Sequence, residues 1–94
     1  LKKIRELDAL AIEKKVKSLI LQLHNKDATI RYKAIVALGK MGQAASGAVK
    51  DLIQLLGDSD KRVSSGTFAV LKRIDSPEAV KAVNHYLENR KKPD

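Results

Sequence analysis

The segment "VKSLILQLHNKDATI", residues 16–30, lies over "VKDLIQLLGDSDKRV", residues 49–63, at one constant offset. Val16 falls on Val49, Lys17 on Lys50, Leu19 and Ile20 on Leu52 and Ile53, Leu23 on Leu56, Asp27 on Asp60 and Ile30 on Val63. The register continues with Leu38 on Leu71 and Met41 on Ile74. A further partial copy, "VKAVNHYL", begins at Val80 after a slightly shorter interval. The shortening falls between helices, where a chain absorbs length changes. A period in this range marks stacked supersecondary units, each burying its apolar face on the next.

Each copy reads as two helices. Asp27 and Asp60 stand where an N-cap is wanted, just before runs with helical apolar spacing. Those runs are Ile30, Ala34, Ala37–Leu38, Met41 and Val63, Thr67, Val70–Leu71, Ile74. The second helix of each pair carries Val49, Leu52–Ile53 and Leu56, then Val80, Val83 and Leu87. Ser76–Pro77 is a good helix opening, with a capping hydroxyl and a proline at the first helical position. Glycines 39, 42, 47 and 57 are read as helix ends. Residues 1–26 hold either one long helix or a hairpin, and the analogy with the later pairs favours a break near Asp8 to Ala11. No segment alternates with period two, and aromatic residues are only 3% of the chain, which suits close-packed helices better than sheets.

The stretch "ALGKMG", residues 37–42, has the G-x-x-G spacing of a KH-domain phosphate clamp. That clamp needs strands elsewhere, and the stretch recurs in register as "VLKRID" without its glycines. It is therefore read as the end of a helix.

With these residues in place, the chain resembles a HEAT repeat protein with the short bacterial and archaeal repeats of the phycocyanobilin-lyase type. The matching positions are Asp27, Ile30–Arg31, Ala34, Ala37–Leu38–Gly39, Met41–Gly42, Ala48–Val49, Leu52–Ile53 and Leu55–Leu56. The resemblance implies an all-α, right-handed solenoid of stacked helical hairpins with about five to six helices. It divides one domain, 1–94, into an N-terminal helix or hairpin (1–26), a repeat (27–57) and a C-terminal repeat or cap (60–90). It also implies that the repeat arginine, here Arg31, binds the acidic turn of the neighbouring unit. Ser64 stands at that position in the second copy, so no full repeat is expected after it, and the array is expected to stop near Arg90.

The chemistry in the sequence is sparse. Cysteine is absent, which excludes disulfides, thiolate zinc sites and cysteine nucleophiles. His24 and His85 lie on different repeats and have no i,i+4 partner of ligand type, and Asp27, Asp58 and Asp60 suit caps and turns. No catalytic motif is present, so neither an enzymatic activity nor a cofactor or metal is expected. No apolar run reaches membrane-spanning length and no leader is visible, though the opening Leu1 suggests a missing upstream segment. A cytoplasmic location is favoured, with a periplasmic one after signal cleavage as the alternative.

Nineteen Lys and Arg against eleven Asp and Glu give a net charge of +8, which favours anionic partners. The repeat places Lys17, Lys50 and Lys81 at equivalent positions on successive second helices, with Leu21, Gln54 and His85 one turn later and Lys14 extending the row. In HEAT-like solenoids the second helices line the concave face, so these residues form a candidate ladder along a groove. The expected function is a non-catalytic protein-interaction scaffold for a partner with an acidic surface. Nucleic-acid backbone binding is the first alternative. A structural fragment or assembly subunit, monomeric or weakly dimeric, is the second.

Overall fold

The computed structural model describes residues 2–91, with side chains from Ala9 to Arg90. It contains α1 (Lys2–Leu23), α2 (Ala28–Met41), α3 (Val49–Gln54), α4 (Lys61–Ile74) and α5 (Pro77–Lys91), and no strand among the described residues. Turns of 3-10 helix flank α3, at Gly42–Ala48 before it and Leu55–Gly57 after it. α2 packs between α1 and α4, while α3 touches α1 on one side and α5 on the other. Two layers result, α2 and α4 in one and α1, α3 and α5 in the other. This is a short solenoid of stacked hairpins.

The caps form where the sequence places them. Asp27 accepts from the Thr29 N–H at 2.8 Å, and Asp60 accepts from the N–H groups of Arg62 and Val63 at 2.9 and 3.3 Å. The Ser76 hydroxyl accepts from the Ala79 N–H at 3.1 Å behind Pro77. "ALGKMG" is a helix end: Gly42 terminates α2 at φ 59°, and its N–H donates to the Gly39 carbonyl. Its counterpart one repeat later, Asp75, terminates α4 with φ 55°. A positive φ thus survives the loss of glycine, but the turns differ: Asp75 is left-handed helical at ψ 35°, whereas Gly42 has ψ −131°.

Three expectations need correcting. The break near Asp8 to Ala11 does not occur, because α1 is continuous through it. The sequence between Lys2 and Leu23 contains neither proline nor glycine to interrupt it. Gly39 is not a helix end but lies buried inside α2. A Cβ there would stand 2.9 Å from Val70 Cγ2 on α4, so its role is close helix–helix approach. Val80 and Leu87 are exposed, and α5 buries Ala79 and Val83 instead. Their register mates Val49 and Leu56 are buried, whereas among the described residues no further hairpin packs on α5.

The core runs through both layers, with Leu23, Ile35, Leu38, Leu52, Leu71 and Ile74 fully covered. Thr67 occupies the register position of Ala34, and its buried hydroxyl has no hydrogen-bond partner. Where α5 and α4 meet, Phe68 and Tyr86 pair at 5.6 Å between ring centres. Lys72 lies over Phe68 and Arg90 over Tyr86, so cations cover these half-buried rings.

One side chain ties the turns of the two hairpins together. Arg31, near the start of α2, donates through Nε and Nη2 to both carboxylate oxygens of Asp58, at 3.0 and 3.1 Å. Its Nη1 donates to the carbonyls of Asn25 and Lys26, at 2.8 and 3.0 Å. Both charged groups are largely covered, with 15% and 8% of their side-chain surface exposed. The neighbouring-turn role that the resemblance implies for Arg31 is therefore met.

Two sets of variants test this packing. Arg31→Ala leaves a covered carboxylate unpaired and should cost about 3 kcal/mol in denaturant unfolding. Arg31→Lys should recover only part of that, because an ammonium cannot reproduce the two-pronged contact. An unchanged midpoint for Arg31→Ala would show that the pair does not hold the turns. The two glycines should part ways. Gly39→Ala drives a methyl into a stiff valine and should destabilise by roughly 1–3 kcal/mol. Gly66→Ala meets only Ile35 and Tyr32 side chains, at 3.4 Å and beyond, and should raise the melting temperature through helix propensity.

Candidate interaction surfaces

The candidate ladder lies in the layer of α1, α3 and α5. On α1, Val16, Leu19 and Leu23 face the core, so Lys14, Lys17 and Leu21 point away from it. On α3, Val49 and Leu52 are buried, while Lys50 and Gln54 are exposed. On α5, burial of Ala79 and Val83 leaves Lys81 and His85 exposed. Leu21 is the most open large apolar side chain described, at 76% exposure. None of Lys14, Lys17, Lys50 and Lys81 forms an ion pair with a described residue.

Two shallow depressions accompany these residues. Lys17 borders one of about 420 Å³ between α1 and the 3-10 segment, with Ile12, Val16, Ala44 and Gly47 among its walls. Lys81 and His85 border another of about 330 Å³ with Ile53, Glu78 and Ala82. The structure gives these as separate depressions and does not join them into one groove. His85 shares a hydrogen bond with Asn89 at 3.0 Å, one turn along α5. His24 ties the end of α1 to α3 through Asp51, 2.9 Å away. Among the described residues no three His, Asp or Glu side chains converge as a metal site.

The other layer holds a feature that a linear reading passes over. α2 carries Arg31, Lys33 and Lys40, α4 carries Lys61, Arg62, Lys72 and Arg73, and neither helix contains an acidic residue. The basic residues are scattered along the chain but sorted by the fold. The signal was available: aligning charge as well as hydropathy by repeat shows both first helices free of acids. Lys40, Lys72 and Arg73 lie in last turns, where a cation offsets the negative end of the helix.

At the opposite end of this layer Arg31 and Arg62 are paired with carboxylates, while Lys61 forms no ion pair with a described residue. Arg62 donates to Asp60 through Nε and Nη2 at 3.2 Å, reaches Thr29 Oγ1 at 3.3 Å and lies 5.5 Å from the centre of the Tyr32 ring. The Arg62 side-chain hydrogen bond is the main cause holding the Asp60 carboxyl below its ordinary value, with the Val63 and Arg62 backbone N–H groups adding to it. A carboxyl lowered on folding contributes stability above its unfolded value and loses it as pH falls through the folded one. Arg62→Ala should therefore move the Asp60 titration upward, which carboxyl-carbon NMR can follow. An unmoved titration would assign the effect to the cap alone.

Among the described residues no helix is long and apolar enough to cross a membrane. A family model described as HEAT repeats matches residues 16–94. A comparison with curated proteins gives no match.

Proposed function

The chain belongs to the HEAT repeat family, and from that premise we propose that it is a non-catalytic scaffold that docks a partner protein on the layer of α1, α3 and α5. HEAT repeats are commonly protein-interaction scaffolds, and stacked helices offer extended binding surfaces. The observation that carries the reading is the row of Lys17, Lys50 and Lys81. They align at one repeat position in the sequence of α1, α3 and α5, and all three are exposed and without ion-pair partners among the described residues. Lysine is not the dipole-favoured choice near a helix start, which is where Lys50 lies. Lys14, Leu21, Gln54 and His85 flank the row, and Leu21 supplies an apolar contact. The partner presents an acidic surface, and the chain itself is a monomer or weak dimer of one domain, 1–94.

The test compares the native chain with a Lys17→Glu, Lys50→Glu, Lys81→Glu variant as immobilised baits, after circular dichroism shows both folded. A partner retained by the native chain should be lost by the variant. An identical set of retained proteins on both baits would end the ladder reading. Labelled duplex DNA, titrated at low and near-physiological salt, separates the nucleic-acid reading. Backbone binding weakens steeply with salt, and tight salt-sensitive binding would replace the protein partner with a nucleic acid.

A further inference from the structure

The layer of α2 and α4 carries a groove of its own, facing outward. Exposed residues of α2 recur at Thr29, Lys33, Val36 and Lys40, and their repeat mates on α4 are Arg62, Gly66, Ala69 and Arg73. The groove, about 440 Å³, runs between these two rows. Its depth follows from small residues: Gly39 lets the helices close on Val70, and Gly66 and Ala69 leave no ridge above the floor. Tyr32, Val36 and Ala69 supply the apolar surface that is open to an occupant, over a floor of buried Ile35 and Val70. Among the described residues its charged lining is Lys40 and Arg73, repeat mates of each other, and neither forms an ion pair with a described residue.

We propose that this groove is a second docking site, which takes an acidic segment of a partner protein and seats one of its aliphatic side chains between Gly66, Ala69 and Val36. Charge complementarity fixes the sign of the occupant, because two cations border the groove and the helices forming it hold no acid. The apolar walls fix its kind. A phosphate backbone would satisfy Lys40 and Arg73 but leave those walls without an apolar group to bury. Base stacking would need an open ring, and Tyr32 is already paired with Arg62. An aliphatic anchor flanked by carboxylates uses the cations and the cavity together. The site is separate from the lysine row on the opposite layer and does not rest on it.

Fluorescence anisotropy of the whole chain tests this with a labelled Asp/Glu peptide carrying one central leucine. The same peptide with glycine in its place, a short DNA duplex and anionic vesicles are the comparison probes. The leucine peptide should bind at least about tenfold more tightly than the glycine peptide, a gap of roughly 1.4 kcal/mol. Ala69→Trp, which fills the groove from an exposed position, should abolish that advantage. Lys40→Glu with Arg73→Glu should weaken both peptides, and Lys17→Glu, Lys50→Glu, Lys81→Glu should leave the leucine advantage intact. Val36→Ser gives a second groove variant if the tryptophan variant proves unfolded by circular dichroism. Equal binding of the two peptides, or a leucine advantage that survives both groove variants, overturns the proposal. So does preferential binding of duplex or vesicles that depends on Lys40 and Arg73 but not on Ala69, which makes the face a phosphate-binding one.

Discussion

The stacking of this molecule depends on a guanidinium that serves two turns at once. Arg31 holds the Asn25 and Lys26 carbonyls ahead of its own helix and the Asp58 carboxylate ahead of the next. Asp58 in turn accepts from the Asp60 N–H at 2.9 Å, which sets Asp60 to cap α4. Arg62 then reaches back across to Thr29 at the start of α2. Helix starts are thus joined to helix starts, and α2 and α4 run side by side in the same direction. Two charges largely out of water are costly to hold, and they persist here because nearly every donor and acceptor is used.

The second hairpin lacks this link. Ser64, at the position of Arg31, bonds only the Lys61 carbonyl of its own helix, at 3.4 Å. Phe68 sits at the register position of Ile35, which is fully buried, whereas Phe68 is only half-buried. Phe68 instead faces Tyr86 and the Lys72 ammonium, 5.3 Å from its ring centre. One repeat position is thus solved by packing a neighbour in one copy and by a cation over a ring in the other. Stability in such arrays comes from each unit and its interfaces, so the two hairpins are held to the molecule by different forces.

What the sequence made legible is the part governed by local rules. Asp27, Asp60 and Ser76 cap helices because a short side-chain acceptor before an apolar run has little else to do. The repeat itself gave the hairpins and the order in which they stack. Gly39 was misread because a glycine near a helix end looks the same whether it turns the chain or admits a neighbour. Only the position of Val70 distinguishes the two. The unbroken α1 was misread by analogy, against a sequence with no breaker in it. Val80 matches Val49 in letters and differs in burial, because burial belongs to what packs on a residue rather than to the residue. The lysine row was readable from spacing alone, whereas the acid-free pair α2 and α4 emerged only when scattered charges were sorted into layers.

That sorting follows from the same turns that build the stack. Because α2 and α4 run in parallel, their dipoles point the same way and their like ends sit together. At the positive ends, Asp27 and Asp60 cap the two helices while Asp58 binds Arg31, so those carboxylates are occupied. At the negative ends, Lys40 and Arg73 lie in the last turns, and the one acid adjoining them in sequence, Asp75 at the end of α4, forms no ion pair with a described residue. A helix-end carbonyl group carries only a partial charge, less than the unit charge of each side chain. The surplus is positive and faces water beside an apolar groove. A stacking rule that satisfies the acids at one end of a layer therefore leaves the other end with unanswered cations.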